Sequence, residues 1–166
     1  DKIEVVERFW YGCPHCYQLE PTLNEWQKTL PDDVNFIKLP AMFGGIWNLH
    51  GQLFLTLQSM KVDDSIHDEV FKALHERNRR LASLPEITSF LGGLGVDKDD
   101  FEKAWKSFAV KTQMEKAKKL AIAYQVSGVP AMVINGKYRF DIGMAGGLRE
   151  TAQVADLLIE KERNQQ

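Results

Sequence analysis

The chain contains two cysteines, and they stand together as Cys13-Pro14-His15-Cys16 between two segments of opposite character. Before them runs Ile3-Glu4-Val5-Val6-Glu7-Arg8-Phe9-Trp10-Tyr11, a β-branched and aromatic stretch that predicts a strand. After them, Tyr17 to Leu30 predicts a helix that opens at about Cys13. A helix start leaves backbone N–H groups without intrahelical partners and carries partial positive charge, so a sulfur at its cap is favoured as a thiolate. Pro14 suits the first turn, where its φ is already helical and its missing N–H costs nothing. His15 adds a polar neighbour that favours S⁻ further when it is cationic. Stabilising the thiolate favours the dithiol over the disulfide, which makes the disulfide a ready oxidant. The pair therefore reads as a redox centre, with Cys13 the exposed attacking sulfur and Cys16, one turn further in, the buried resolving thiol.

Two other uses of a Cys-x-x-Cys pair fit less well. Zinc needs two further ligands, usually a second Cys/His pair at short spacing. No third cysteine exists, and His50, His67 and His75 are dispersed through helical sequence, so no metal is expected. A structural disulfide would close a very small loop and restrain the unfolded chain little.

With 166 residues the chain is long enough for one domain carrying an insertion. Its net charge of −2 makes no electrostatic case for nucleic acid or anionic membrane. No apolar stretch reaches the roughly 18 residues that a membrane span requires. The chain starts almost inside its first strand, so the lack of a leader sequence is uninformative.

Element by element, the pattern predicts a strand over 3–11, a helix over 13–30, a turn at Pro31-Asp32-Asp33 and a strand over 34–39 ending at Pro40. From Phe43 to Gln125 only helices are expected. Leu49, Leu53, Leu57 and Met60 mark one; Asp63 caps a second bearing Ile66, Val70 and Leu74; Leu84-Pro85-Glu86 starts a short third. Asp97 caps a fourth, in which Phe101, Ala104, Trp105 and Phe108 recur at i, i+3, i+4, i+7 and read as core. A long helix is expected from Val110 to Gln125. Ala131-Met132-Val133-Ile134 and Tyr138-Arg139-Phe140 flank Asn135-Gly136, a strong hairpin signal. A last helix covers 148–163. The order is βαβ, a helical insertion, then αββα, which implies an α/β protein with a mixed sheet and a separate helical lobe.

The segments Phe9-Trp10-Tyr11-Gly12-Cys13-Pro14-His15-Cys16-Tyr17 and Gly128-Val129-Pro130-Ala131-Met132-Val133-Ile134-Asn135-Gly136-Lys137-Tyr138 resemble the DsbA family, thioredoxin-fold thiol:disulfide oxidoreductases of the Gram-negative periplasm. The resemblance extends over essentially the whole chain. It implies a thioredoxin fold with a mixed central sheet, built from 1–42 and 126–166, and an inserted all-helical domain over 43–125. It also implies a further strand upstream of Asp1, so that this chain is trimmed.

For the site, the resemblance implies a cis Val129–Pro130 bond facing the cysteine pair, in a Gly128-Val129-Pro130 loop that pairs with extended substrate backbone. Strand alternation puts Glu7 among Ile3, Val5 and Phe9, and Lys38 with Val34 and Phe36. Both match the family's buried acid/base pair, which implies that Glu7, helped by Lys38, handles the proton of Cys16. Phe43, Ile46 and Trp47 are candidates for the edge of an apolar groove. The implied activity is donation of the Cys13–Cys16 disulfide to unfolded secreted proteins by a monomer with no cofactor and no nucleic-acid partner. A membrane quinone reductase of the DsbB kind is the implied reoxidant. Two rivals share the fold: a reductase or isomerase, disfavoured by Pro14-His15, and a non-catalytic chaperone, disfavoured by the intact cysteines.

Overall fold

The computed structural model describes residues 1–124 and 127–166. Contacts group the chain into two units: Asp1–Phe9, Cys13–Leu39 and Ala121–Gln166 form one, and Trp10–Gly12 with Pro40–Leu120 form the other. The boundary expected between 125 and 126 lies outside the described residues.

The first unit is built on a four-stranded mixed sheet. Strands β1 (Ile3–Phe9), β2 (Val34–Pro40), β3 (Ala131–Ile134) and β4 (Tyr138–Phe140) are ordered β2-β1-β3-β4. β3 runs antiparallel to β1, with Val5 opposite Ile134 and Glu7 opposite Met132, and β4 antiparallel to β3. The tight turn between β3 and β4 places Asn135 and Gly136 at φ 54° and 70°, the two left-handed residues that match the twist of a hairpin. Helices α1 (Pro14–Gln27) and α8 (Leu148–Arg163) pack together, and α8 also meets β1 and β3. The core between them joins Ile3, Val5, Met132 and Ile134 of the sheet to Leu19 and Leu23 of α1 and Ala155 and Ile159 of α8.

In this unit two boundaries and one extra element differ from the sequence expectation. β1 stops at Phe9, not Tyr11, because Trp10–Gly12 leave the sheet for the other unit. α1 stops at Gln27, not Leu30: Thr29 and Leu30 donate to Trp26 and Gln27 in a tightened last turn, and Pro31 disfavours a helical residue before it. A single-turn helix, α7 (Ile142–Ala145), was not expected; the Asp141 carboxylate caps it by accepting from Met144 N at 2.8 Å.

The second unit is helical: α2 (Gly45–Ser59), α3 (Asp64–Glu76), α4 (Leu84–Gly92), α5 (Lys98–Trp105) and most of α6 (Phe108–Ala123). Asp63 and Asp97 cap α3 and α5 as the sequence suggests. α5 packs against α2 and α4, and Leu53, Leu57, Ile87, Leu91 and Phe101 are all buried. Phe108 is a correction. It belongs to the next helix, not to α5, and is 83% exposed. The chain breaks at Ser107, whose hydroxyl accepts from Val110 N at 3.2 Å and starts α6 in a new direction. Gln125, the expected end of that helix, lies outside the described residues.

This break separates two phenylalanines that share one sequence pattern. Phe101→Ala should cost about 3–5 kcal/mol, whereas Phe108→Ala should change stability by less than about 0.5 kcal/mol. Urea unfolding of the two variants checks the contrast.

Candidate active site

Cys13 occupies the N-cap of α1 with φ −82° and ψ 119°, the extended conformation of a capping residue. Its sulfur lies 3.3 Å from Cys16 N and accepts from it, while its carbonyl accepts from Tyr17 N at 3.0 Å. Pro14 takes the first helical position, where no N–H is wanted. Both cysteines are thiols in this structure. Cys13 keeps 7% of its surface and Cys16 none. The attacking sulfur is therefore more enclosed than the exposed position expected for it.

The Cys13 thiol is lowered to about 6 from an ordinary 9.0. The hydrogen bond from the Cys16 thiol contributes most; burial opposes it; the amides of Cys16 and His15 and the charge of His15 add smaller amounts. The helix start and His15, the two contributions expected from the sequence, are both outranked by the neighbouring thiol. Sequence could not show this, because it depends on how the two sulfurs meet. His15 itself is exposed, with Nδ1 3.4 Å from Gln18 Oε1.

Behind the cysteine turn lies a charge cluster that the sequence identified in part. Glu7 is fully buried on β1. Lys38 on β2 does not hydrogen-bond to it; the Lys38 ammonium pairs instead with Glu20 of α1. Glu20 was missed, although Cys16, Glu20 and Leu23 fall on one helix face at i, i+4, i+7. Both Glu7 oxygens and Glu20 Oε2 make no hydrogen bond among the described residues. With the lysine's charge directed at Glu20, an ionised Glu7 would be a second buried anion, several kcal/mol too costly. Burial accordingly pushes the Glu7 carboxyl up to about 8, Lys38 opposes this, and Glu20 and Cys13 add to it. The expected Glu7–Lys38 pair is thus a trio in which Glu7 holds its proton at neutral pH.

The Val129–Pro130 bond is cis. The Cys13 thiol points at the Val129 carbonyl, 3.8 Å away, so Gly128–Pro130 and the sulfur come together as one surface. Beside them opens a cavity of about 620 Å³, lined by His15, Val129, Pro130, Phe140, Ile142 and Met144 among others. Phe43, Ile46 and Trp47 are the residues that the sequence offered for a groove edge. They belong to the helical unit, where the Phe43 and Trp47 rings pack with centroids 5.1 Å apart. Ile142 and Met144 carried no sequence signal beyond the capping Asp141.

Two outcomes follow from these groups. Alkylation of Cys13 in the reduced protein should be half-maximal near pH 6, and Cys16→Ala should move that midpoint upward, whereas an unmoved midpoint would assign the acidity to the helix amides. Glu7 is raised from 4.5 to about 8, so its contribution to stability is intact below its unfolded value and is lost as pH rises through its folded one. Glu7→Gln is neutral throughout. Its stability relative to the parent should climb between pH 4.5 and 8 and then level off in urea unfolding of the reduced proteins. Cys13, whose lowered value acts in the opposite direction, is present in both proteins, and in the parent its charge also raises Glu7 further.

A family model described as a DSBA-like thioredoxin domain matches residues 4–158. The thiol:disulfide interchange protein DsbA of Azotobacter vinelandii is 63% identical over 165 residues, 99% of this chain and 77% of that protein. Its counterpart in Pseudomonas aeruginosa is 64% identical over 162 residues, 98% of this chain and 77% of that one. The crystal structure of Pseudomonas aeruginosa DsbA has the same fold, with a TM-score of 0.96 at 63% identity over 98% of this chain and 85% of that chain. The oxidoreductase DsbA from Xylella fastidiosa reaches 0.90 at 31% identity over 98% and 87%. The two motif segments therefore express a family relationship: the chain belongs to the DsbA-like thioredoxin-domain family.

Proposed function

We propose that this protein is a dithiol:disulfide oxidoreductase working in the oxidising direction, which gives a Cys13–Cys16 disulfide to cysteine pairs of newly exported, unfolded proteins. The observation that carries this reading is the acid Cys13 sulfur at the cap of α1, facing the Val129 carbonyl. In the oxidised protein a substrate thiolate attacks Cys13 Sγ, the bond to Cys16 breaks, and Cys16 leaves and takes up a proton. A second substrate thiolate then attacks the substrate sulfur of the mixed disulfide and expels Cys13 as thiolate. Substrate loses two electrons and the cysteine pair gains them. An acid leaving group favours the second step and the dithiol product.

Family membership supports the remaining assignments. The pair carries both electrons, so the reading needs no bound cofactor or metal. Gly128, Val129 and Pro130 hold extended substrate backbone beside Cys13. Glu7, kept protonated by burial, gives a proton to Cys16 as it leaves and takes it back when Cys16 attacks during reoxidation; Lys38 and Glu20 tune it. The reoxidant is a DsbB-type membrane quinone reductase, and the site of action the periplasm.

The test mixes oxidised protein with a reduced two-cysteine peptide and separately equilibrates the pair with glutathione. Rapid peptide oxidation, a pair that is readily reduced by glutathione, and slower turnover with an altered pH profile in Glu7→Gln are expected. A pair that resists reduction by glutathione and leaves the peptide dithiol intact would assign a reductase. Binding of unfolded chains without thiol exchange would assign a chaperone, and an unchanged Glu7→Gln profile would remove the proton relay.

A further inference from the structure

The chain has four histidines, and the three outside the cysteine turn converge on one tripeptide, Trp10-Tyr11-Gly12. His50 on α2 accepts at Nδ1 from Trp10 Nε1 at 3.0 Å, and its Nε2 lies 3.0 Å from the Leu81 carbonyl. An indole N–H only donates and a carbonyl only accepts, so the proton of His50 sits on Nε2. Burial lowers its pKa and keeps the ring neutral in that tautomer. His67 on α3 places Nδ1 2.6 Å from the Tyr11 hydroxyl. His75, about two turns further along α3, places Nε2 2.7 Å from the Tyr11 carbonyl. By the same logic His75 is the donor.

Aromatic packing surrounds these bonds. Trp10 stacks on Trp47 with centroids 4.1 Å apart, and its ring lies so close over Gly12 that a Cβ there would collide with it. Tyr11 is 1% exposed and meets Phe54 and Phe71 edge-on. Every one of these partners belongs to the same unit as the tripeptide. Packed rings restrain volume but tolerate sliding. A hydrogen bond to a buried carbonyl fixes direction, and its loss leaves a desolvated acceptor. Gly12 is joined covalently to Cys13, whose sulfur caps α1 with the backbone extended at φ −82° and ψ 119°.

We propose that His50, His67 and His75 are positioning residues for disulfide exchange, holding Trp10–Gly12 so that the chain enters Cys13 with its sulfur set on the Cys16 amide. This rests on Cys13 being the reacting sulfur. His75 acts most directly, because it holds the last peptide plane before Gly12. His67 and His50 hold the two side chains that keep that plane in place.

The test titrates the Cys13 thiol of the reduced full chain by ultraviolet absorbance and alkylation rate. The parent protein comes first: an alkaline midpoint there would sink the oxidant reading whatever the histidines do. Given an acid parent midpoint, His75→Ala should raise it by about half a pH unit, as expected for the loss of one directional hydrogen bond. His75→Gln, whose amide donor falls near the former Nε2, should restore most of the shift. Tyr11→Phe, which removes only the hydroxyl, should move the midpoint the same way by less. Ile87→Val, a core truncation in α4, should lower the melting temperature without moving it. Unmoved midpoints in His75→Ala and Tyr11→Phe would overturn the proposal, as would an equal shift in Ile87→Val. If His75→Ala does not fold, Tyr11→Phe and His75→Gln decide the matter alone.

Discussion

The Cys13 sulfur accepts from the Cys16 amide at 3.3 Å, and through this contact redox state and helix formation become one equilibrium. A neutral thiol is a weak acceptor and a thiolate a strong one. The first turn of α1 therefore prefers the state in which the sulfur is anionic, and a disulfide removes that state. A helix held only by its cap would answer oxidation by fraying. α1 is held elsewhere: Leu19 and Leu23 are fully buried and Trp26 nearly so. This burial supports the helix independently of its cap, so the preference of its N-terminus would appear as a tendency to surrender the disulfide.

The trio behind the turn obeys a simple rule of charge. One lysine serves two carboxylates, and a buried cation can neutralise one of them. Glu20 is near enough to take it, which leaves the fully buried Glu7 neutral and proton-bearing. Any negative charge that develops on Cys13 raises Glu7 further, so thiolate and acid reinforce each other's protonation states. In the proposed mechanism this proton is the one that Cys16 takes up when it leaves. Replacing the trio with apolar residues would relieve the burial cost, and the same change would remove that proton.

Much of this was legible in the sequence where signals are local. The cysteine pair at a strand–helix junction, the Asn135-Gly136 hairpin and the Asp63 and Asp97 caps each depend on residues a few positions apart, and each appears in the structure. Signals failed where the deciding partner is distant. Phe108 continues the helical period of α5 without a glycine or proline to interrupt it, so only the turn at Ser107 reveals that it faces solvent. Glu20 was visible as a helix residue but not as the lysine's partner, because strand alternation relates β1 to β2 and says nothing of α1. The three histidines looked scattered for the same reason: 40 to 64 positions separate them from the residues they hold.

An enzyme that oxidises unfolded chains must recognise what such chains share, which is backbone, apolar side chains and thiols. The surface beside Cys13 fits that demand. The Val129 main-chain carbonyl lies 3.8 Å from the Cys13 sulfur, and in the proposed function it would offer substrate a hydrogen bond without regard to sequence. The adjoining cavity presents Pro130, Ile142 and Met144. Met144 is 72% exposed, and an unbranched thioether reshapes itself around different partners at little cost. Among the described residues that line the cavity the one acid is Asp141, and its carboxylate caps α7 and so fixes the loop. Under that proposal, breadth of substrate would come from backbone and soft apolar contact, and the direction of exchange from the sulfur. On the proposed reading different atoms carry the two properties: the Cys13 sulfur the direction of exchange, the cavity wall the contact with substrate.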